Sequence, residues 1–206
     1  MNHRITVIGA GAAGMMAAIA AAEIGVPPVL LERNDRPGRK LMITGKGRCN
    51  VTNNCTSDDV LKNVPTNPRF LYSALAGFSP ADAMAFFEEH GCQLKTERGN
   101  RVFPVSDQAG SVIDALRQFL RQTGVEIKWE RALGIETADG AVTGVRTEQG
   151  ILPADRVILA TGGCSYPATG STGAGYQFAR ALGHTIIEPR GSLVPLVEQG
   201  HVCSAM

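Results

Sequence analysis

No CxxC pair occurs among the five cysteines of this chain, Cys49, Cys55, Cys92, Cys164 and Cys203. The odd count, with no secretory signal read in the sequence, favours reduced thiols in a cytoplasmic setting. The four histidines, His3, His90, His184 and His201, are scattered, so no metal site is expected. His90 and His184 each adjoin a glycine where a helix should end, which suits a capping role. An excess of charge of one sign is also missing. The net charge is +1, so there is no global pull toward nucleic acid or membrane. Aromatics are scarce at 5%, and there is no internal repeat or low-complexity linker. Glycine, by contrast, is abundant (24 residues) in a background that is 44% apolar. That composition suits an α/β fold with tight turns, and the 206 residues suffice for one large domain.

From Ile5 to Ala22 no residue is charged, a length that suits a membrane helix, and Arg4 precedes it as in a signal peptide. Three glycines at turn spacing argue against both readings, as does Glu23 followed by a second apolar run. Neither a targeting segment nor a membrane span is expected. The same residues read better as strand Ile5 to Ile8, turn Gly9-Ala10-Gly11-Ala12-Ala13-Gly14, an Ala-rich helix to Ile24, and strand Val29 to Leu31 ending in Glu32. That is the order of a dinucleotide-binding βαβ unit. Gly9 permits the turn, Gly11 lets a pyrophosphate approach the backbone, and Gly14 lets the helix pack closely on the sheet. The helix start at Ala12 and Ala13 presents free N–H groups to phosphate. Glu32 is placed to accept from ribose hydroxyls and to repel a 2′-phosphate, although Arg33 beside it moderates the repulsion. The alternative is a Gly-rich turn in an ordinary α/β protein.

Arg33 to Asn54 reads as a loop. Helices are expected at Pro68 to Ala76, at Ser79 to His90 behind a Ser-Pro start, and at Ser111 to Gln122. Strands are expected at Leu94 to Glu97, Arg101 to Phe103 and Val125 to Trp129. Arg131 to Thr137, Val142 to Thr147 and Gly150 to Leu152 form an antiparallel meander joined by hairpin turns. It leads to Arg156 to Ala160, an apolar run typical of a buried parallel strand, ending in Thr161-Gly162-Gly163. A helix from Gly173 to Leu182 and a strand from Thr185 to Glu188 follow. Cys49 reads as a small buried hydrophobe and Tyr166 as a packed aromatic near a turn. The alternative for Tyr166 is a proton donor to substrate.

A nucleotide-binding parallel sheet interrupted by a meander, returning through Ala160-Thr161-Gly162, resembles the FAD domain of the glutathione-reductase-like flavoproteins. A narrower likeness lies in Arg39-Lys40-Leu41-Met42-Ile43-Thr44-Gly45-Lys46-Gly47-Arg48-Cys49-Asn50, continuing Val51-Thr52-Asn53. Arg101 to Ser106, Gly162 to Gly173, Gly183 to Ile186 and Ser192 to Leu196 add to it. Together they resemble a bacterial FAD-dependent family that includes aminoacetone oxidases and 3-dehydro-bile-acid Δ4,6-reductases. The resemblance covers the whole chain. It implies a Rossmann-like α/β FAD-binding domain of glutathione-reductase type and hydride transfer through a flavin. The small organic substrate is unidentified, and NADH or NADPH is a possible transient donor.

The implied FAD contacts are Gly9, Gly11, Ala12, Ala13, Gly14, Glu32, Arg33, Arg39, Lys40, Gly45, Lys46, Gly47, Arg48, Cys49, Asn50, Ala160, Thr161 and Gly162. The loop from Thr44 to Asn53 offers backbone N–H groups, and Lys46 and Arg48 offer charge for a reduced flavin or a phosphate. The cations from Arg33 to Arg48 face only Asp35 locally, so a solvated basic loop is the plain alternative. No catalytic residue is assigned. Two features depart from the family. Ala174 stands where Asp is expected, and members are about twice as long, so residues 1–192 read as an FAD domain and 193–206 as the start of a missing second domain. The missing half, or a partner chain, would then complete the pocket. Rival readings are a noncatalytic or nonfunctional FAD-binding fragment and, on the basic loop alone, an RNA-modifying flavoprotein.

Overall fold

The computed structural model describes residues 4–191. The expected second-domain start at 193–206 and the Ser192 to Leu196 motif therefore lie outside the described residues. Strand β1 (Ile5–Ile8) enters helix α1 (Ala12–Glu23), which returns to β2 (Val29–Leu31). A kinked 3-10 segment (Leu41–Gly47) and the two-residue strand β3 (Thr52–Asn53) follow. Helices α2 (Ser57–Lys62), α3 (Tyr72–Gly77) and α4 (Pro80–Glu89) precede the hairpin of β4 (Leu94–Glu97) and β5 (Arg101–Pro104). Then come α5 (Ala109–Gln122), β6 (Glu126–Lys128), the meander β7 (Ala132–Ala138), β8 (Ala141–Thr147) and β9 (Gly150–Pro153), β10 (Arg156–Leu159) and α6 (Ala174–Ala181).

The central sheet has the order β10-β1-β2-β6 with every pairing parallel. Side chains alternate across it, as the two-residue strand period requires. Val7 and Leu30 face α1 and α5, joining Met15, Ile19, Leu116 and Leu120 in the larger core. Ile8 and Leu31 face the other way, packing with Val145 of the meander. Three layers result, with helices on one face and the meander on the other. Helix α1 is apolar almost all round because it is squeezed between the sheet and α5, whereas α5 buries only one stripe, Val112, Ala115, Leu116 and Leu120. Helix α4 begins with a capping box: the Ser79 hydroxyl accepts from the Asp82 N–H, and the Asp82 carboxylate accepts from the Ser79 N–H. At its end His90 caps the helix and stacks on Phe86 and Phe119.

Three local expectations are corrected. Residues Thr185 to Glu188 form no strand ladder. The expected loop from Arg33 to Asn54 carries β3, which pairs with β5, and α2 follows it unforeseen, too short for a periodic signal. Strand β10 lies at the edge of the described sheet rather than buried within it, with Ile158 36% and Leu159 38% exposed. Among the described residues no helix is long and apolar enough to cross a membrane.

Candidate functional site

A cavity of about 740 Å³ opens where β1, β2 and β10 end together. Parallel packing of these strands brings the turns that follow them to one sheet end, where ligands of open α/β sheets bind. Gly9, Gly11, Ala12 and Ala13 form one part of the wall, and Glu32, Arg33, Arg39 and Lys40 another. Ala160, Thr161 and Gly162 complete the group from β10. Gly14 lies behind the turn and is buried. Gly45, Lys46, Gly47, Arg48, Cys49 and Asn50 are not in the cavity wall, although Thr44 is.

The turn is tightly tied. The Gly9 N–H donates to Leu31 O (2.8 Å), the Ala160 N–H to Ile8 O (2.9 Å) and the Gly38 N–H to Ala10 O (2.8 Å). Gly9 has φ +104°, and a Cβ there would sit 2.6 Å from Ala160 O. Helix α1 starts at Gly11 with no side-chain cap and no acid in its first turn. Its first N–H groups therefore have no intrahelical partner and carry the positive end of the dipole into the cavity.

Glu32 is 6% exposed and accepts three hydrogen bonds: from the Ala10 N–H (2.9 Å), the Asn34 N–H (2.8 Å) and Asn34 Nδ2 (2.6 Å). Ala10 binds Oε2 and both Asn34 donors bind Oε1, so an acceptor position on Oε2 remains for a ligand. The carboxylate is thus also a brace between the glycine turn and the loop after β2. Neighbouring polar groups latch that loop to the segment after β10. Lys40 Nζ donates to Ser165 O (2.8 Å), Arg33 Nη1 to Thr172 Oγ1 (3.3 Å) and Asn34 Nδ2 to Thr169 O (3.4 Å), while Arg39 Nη1 ties the loop to itself through Asn34 Oδ1 (3.1 Å).

Arg48, in contrast, is engaged elsewhere. It makes a bidentate pair with Glu97 (Nη1 to Oε2 3.2 Å, Nη2 to Oε1 2.5 Å), donates from Nε to Asp107 (2.8 Å) and lies 4.1 Å over the Phe103 ring. Local sequence missed these acids because they are distant in the chain. Hydrogen bonding to Arg48 holds Glu97 below the usual carboxylate range, and hydrogen bonding to Lys95 and then Arg48 does the same for Asp107. Because both folded values are depressed, this stabilisation is present above the unfolded values, about 4, and is lost as pH falls through the folded ones. Thermal melting between about pH 5 and 3 should therefore show an acid limb that is shallower in Arg48→Met. An unchanged limb would assign the acid sensitivity to other groups.

Cys49 is buried, and burial pushes its thiol up while the Thr44 hydroxyl opposes this. It is therefore a packed thiol rather than an activated nucleophile. Tyr166 corrects the expectation of a packed aromatic: it is 67% exposed, in a left-handed conformation at φ +51°. The sequence reading also missed part of the wall. Residues Glu130 to Leu133, running from the end of β6 into the first residues of β7, and Thr169 to Ser171 line the cavity. The second stretch lies inside the Gly162 to Gly173 likeness, and its polar and glycine content also hinted at a site. Ala174 also lines it, so the departure from the expected Asp falls on the wall itself.

The parallel sheet, uncapped glycine-turn helix and meander define a Rossmann-type domain with the fold of FAD-binding flavoproteins. The chain belongs to the HI0933-like family, whose Rossmann-domain model matches residues 3–198. It is 38% identical over 207 residues to the 3-dehydro-bile acid Δ4,6-reductase of Clostridium scindens, covering 97% of this chain and 48% of that protein. It is 29% identical over 189 residues to the ribosomal RNA dihydrouridine synthase of Escherichia coli, covering 92% and 46% respectively. The chain thus spans about half the length of the curated relatives it matches. The fold is shared with a flavocytochrome c3 fumarate reductase (TM-score 0.62, 22% identity, 87% of this chain and 40% of that one). It is also shared with the 3-ketosteroid-Δ4-(5α)-dehydrogenase of Rhodococcus jostii RHA1 (TM-score 0.61, 18% identity, 80% and 46%).

Proposed function

We propose that this chain forms the FAD site of an oxidoreductase that reduces a carbon–carbon double bond conjugated to a carbonyl, with NADH or NADPH as electron donor. One observation carries the cofactor: the uncapped start of α1, Gly11 and the remaining acceptor position of Glu32 face a single cavity of about 740 Å³. That volume lies within the range of about 300–1,000 Å³ found for small-molecule and cofactor sites. FAD bound there supplies a two-electron carrier able to take hydride from a nicotinamide and pass it to an acceptor. The N–H groups at Ala12 and Ala13 hold a pyrophosphate, Gly11 lets it approach, and Glu32 accepts from a ribose hydroxyl while disfavouring a 2′-phosphate. Arg33, Asn34 and Lys40 keep the walls together.

The relatives support the kind of bond reduced. A bile-acid Δ4,6-reductase and a dihydrouridine synthase are both named for saturating a ring double bond. In uracil, and in a steroid enone of that kind, the bond is conjugated to a carbonyl. Net reduction adds hydride to the carbon β to the carbonyl and a proton to the α carbon. No described side chain is assigned as the proton donor.

The test is the visible absorption spectrum of the purified chain before and after FAD addition, followed through gel filtration. Flavin bands that co-elute with monodisperse protein are expected. Folded protein that never takes up FAD would overturn the reading and leave a fragment without a working site. RNA as the substrate is a second reading, favoured by the E. coli relative's name and by the exposed Lys46. Steeply salt-dependent binding of ribosomal RNA would support it.

A further inference from the structure

A second cavity, of about 500 Å³, adjoins the first and shares Arg39 and Thr169 with it. The guanidinium groups of Arg36 and Arg39 line it beside the apolar surface of Met42, Ile43 and Tyr166. No carboxylate among the described residues lines it, and neither arginine forms an ion pair among them. Arg39 spends one donor on Asn34 and Arg36 none. Two cations on one cavity with no acid between them favour an anion there. The Tyr166 side chain is 67% exposed, yet its backbone is fixed. It is left-handed at φ +51°, and the Thr169 N–H (2.9 Å) and hydroxyl (2.8 Å) both donate to Tyr166 O. Strain of this kind persists only where the surroundings over-determine it, and it gathers at ligand sites.

We infer that the second cavity docks the adenosine end of the electron donor, and that this donor is NADPH rather than NADH. In the first cavity the Glu32 carboxylate disfavours a 2′-phosphate. The second offers that same group two guanidinium forks, which match phosphate oxygens bidentately. The 2′-phosphate pairs with Arg36 and with the donors that Arg39 has left, and the adenine stacks on Tyr166 against Met42 and Ile43. Aromatic faces accept a base by its π-face, so the polar edge of the adenine stays in water on the open side of the cavity. Past the shared Arg39 and Thr169 the rest of the dinucleotide runs toward the first cavity. This inference deepens the proposed function and rests on it for the claim that the ligand is the electron donor.

The experiment is calorimetric titration of the full chain, with FAD in excess, using 2′-phospho-ADP-ribose and ADP-ribose. These differ only in the 2′-phosphate and stand for the corresponding parts of NADPH and NADH. Inorganic phosphate is the third probe, and FAD uptake is read separately by absorbance. The 2′-phosphate compound should bind about tenfold more tightly than ADP-ribose, as charge-assisted bonds to a guanidinium allow. Arg36→Ala should erase that preference and still take up FAD, because Arg36 lies outside the first cavity. Tyr166→Asn, with a side chain that tolerates the left-handed backbone, should weaken both nucleotides alike and leave their ratio intact. Equal binding of the two nucleotides, no binding of either, a preference that survives Arg36→Ala, or inorganic phosphate binding as tightly as the 2′-phosphate compound would each overturn the inference. Failed FAD uptake with the Arg36-dependent preference retained would instead sink the cofactor reading alone.

Discussion

Gly14→Ala is expected to destroy the glycine turn, whereas Gly11→Ala leaves the fold intact and weakens only FAD binding. Both residues sit in the same motif, three positions apart, but space around them differs. A Cβ on Gly14 would overlap the carbonyl oxygen of Gly9 and approach Ala160 Cβ to 3.2 Å. The first obstacle is backbone, and Gly9 cannot give way because its N–H is bonded to Leu31 O and its own φ is +104°. Helix α1 must then lift off β1 and β10, breaking the core around Met15 and Ile19. Overpacking costs about 1–3 kcal/mol where side chains can yield, and against fixed backbone the loss should lie at the top of that range, a large part of the stability of a domain.

A Cβ on Gly11 meets nothing within 4 Å, and its φ of −79° suits alanine. The helix cap loses less than about 1 kcal/mol. Yet Gly11 lines the cavity, so a methyl group there stands where a pyrophosphate would approach the N–H groups. Urea denaturation of the FAD-free variants and flavin titration separate the two effects. Gly11→Ala should lower its midpoint by no more than that cap loss, far less than Gly14→Ala does, and lose at least about tenfold in FAD affinity, the scale of one displaced phosphate contact at about 1.4 kcal/mol. Equal losses of stability in both variants would show that the turn tolerates no methyl group anywhere, and that Gly11 has no specific tie to a ligand.

The contrast between these glycines explains what was legible in the sequence. The βαβ unit could be read because its signals are local: an apolar run, glycines at fixed offsets, and an acid at the end of β2. The meander was legible for the same reason, with β segments joined by Asp139-Gly140 and Glu148-Gln149 turns that the observed register joins into one sheet. Interactions that close over long separations were not legible. The acids that hold Arg48 lie on β4 and in the loop after β5, and only folding of the hairpin brings them together. Residues Glu130 to Leu133 enter the cavity wall because β6 ends beside β2, and nothing in their own composition marks them. Tyr166 was misread because aromatic residues usually pack, whereas here a tight turn at Pro167–Thr169 holds the ring outward.

Glu32 combines both kinds of information, and its removal should affect folding as well as binding. Its position at the end of β2 pointed to a ribose. The structure adds that its carboxylate accepts from the Ala10 and Asn34 N–H groups, which belong to two different turns. Ala10 is fully buried. Glu32→Ala leaves its N–H without a partner and should cost about 1–3 kcal/mol of stability in the absence of FAD. Glu32→Gln should cost nearly as much, because one of its two terminal atoms is a donor and must face either Ala10 or Asn34. Asn34→Ala is the informative control. It removes the 2.6 Å bond to Glu32 and the anchor of Arg39, but keeps the bridge to Ala10. Its stability loss should stay near 1 kcal/mol, the usual net value of one hydrogen bond. Denaturation of the FAD-free proteins and flavin titration again give two readouts. Both should fall in the Glu32 variants, with FAD affinity falling further than the lost folded population accounts for. If stability falls and the affinity of the folded fraction does not, Glu32 is a brace alone, and the ribose must be held by other groups in the cavity. If affinity falls and stability does not, the bonds to Ala10 and Asn34 contribute nothing net, and the ligand alone explains the acid at this position.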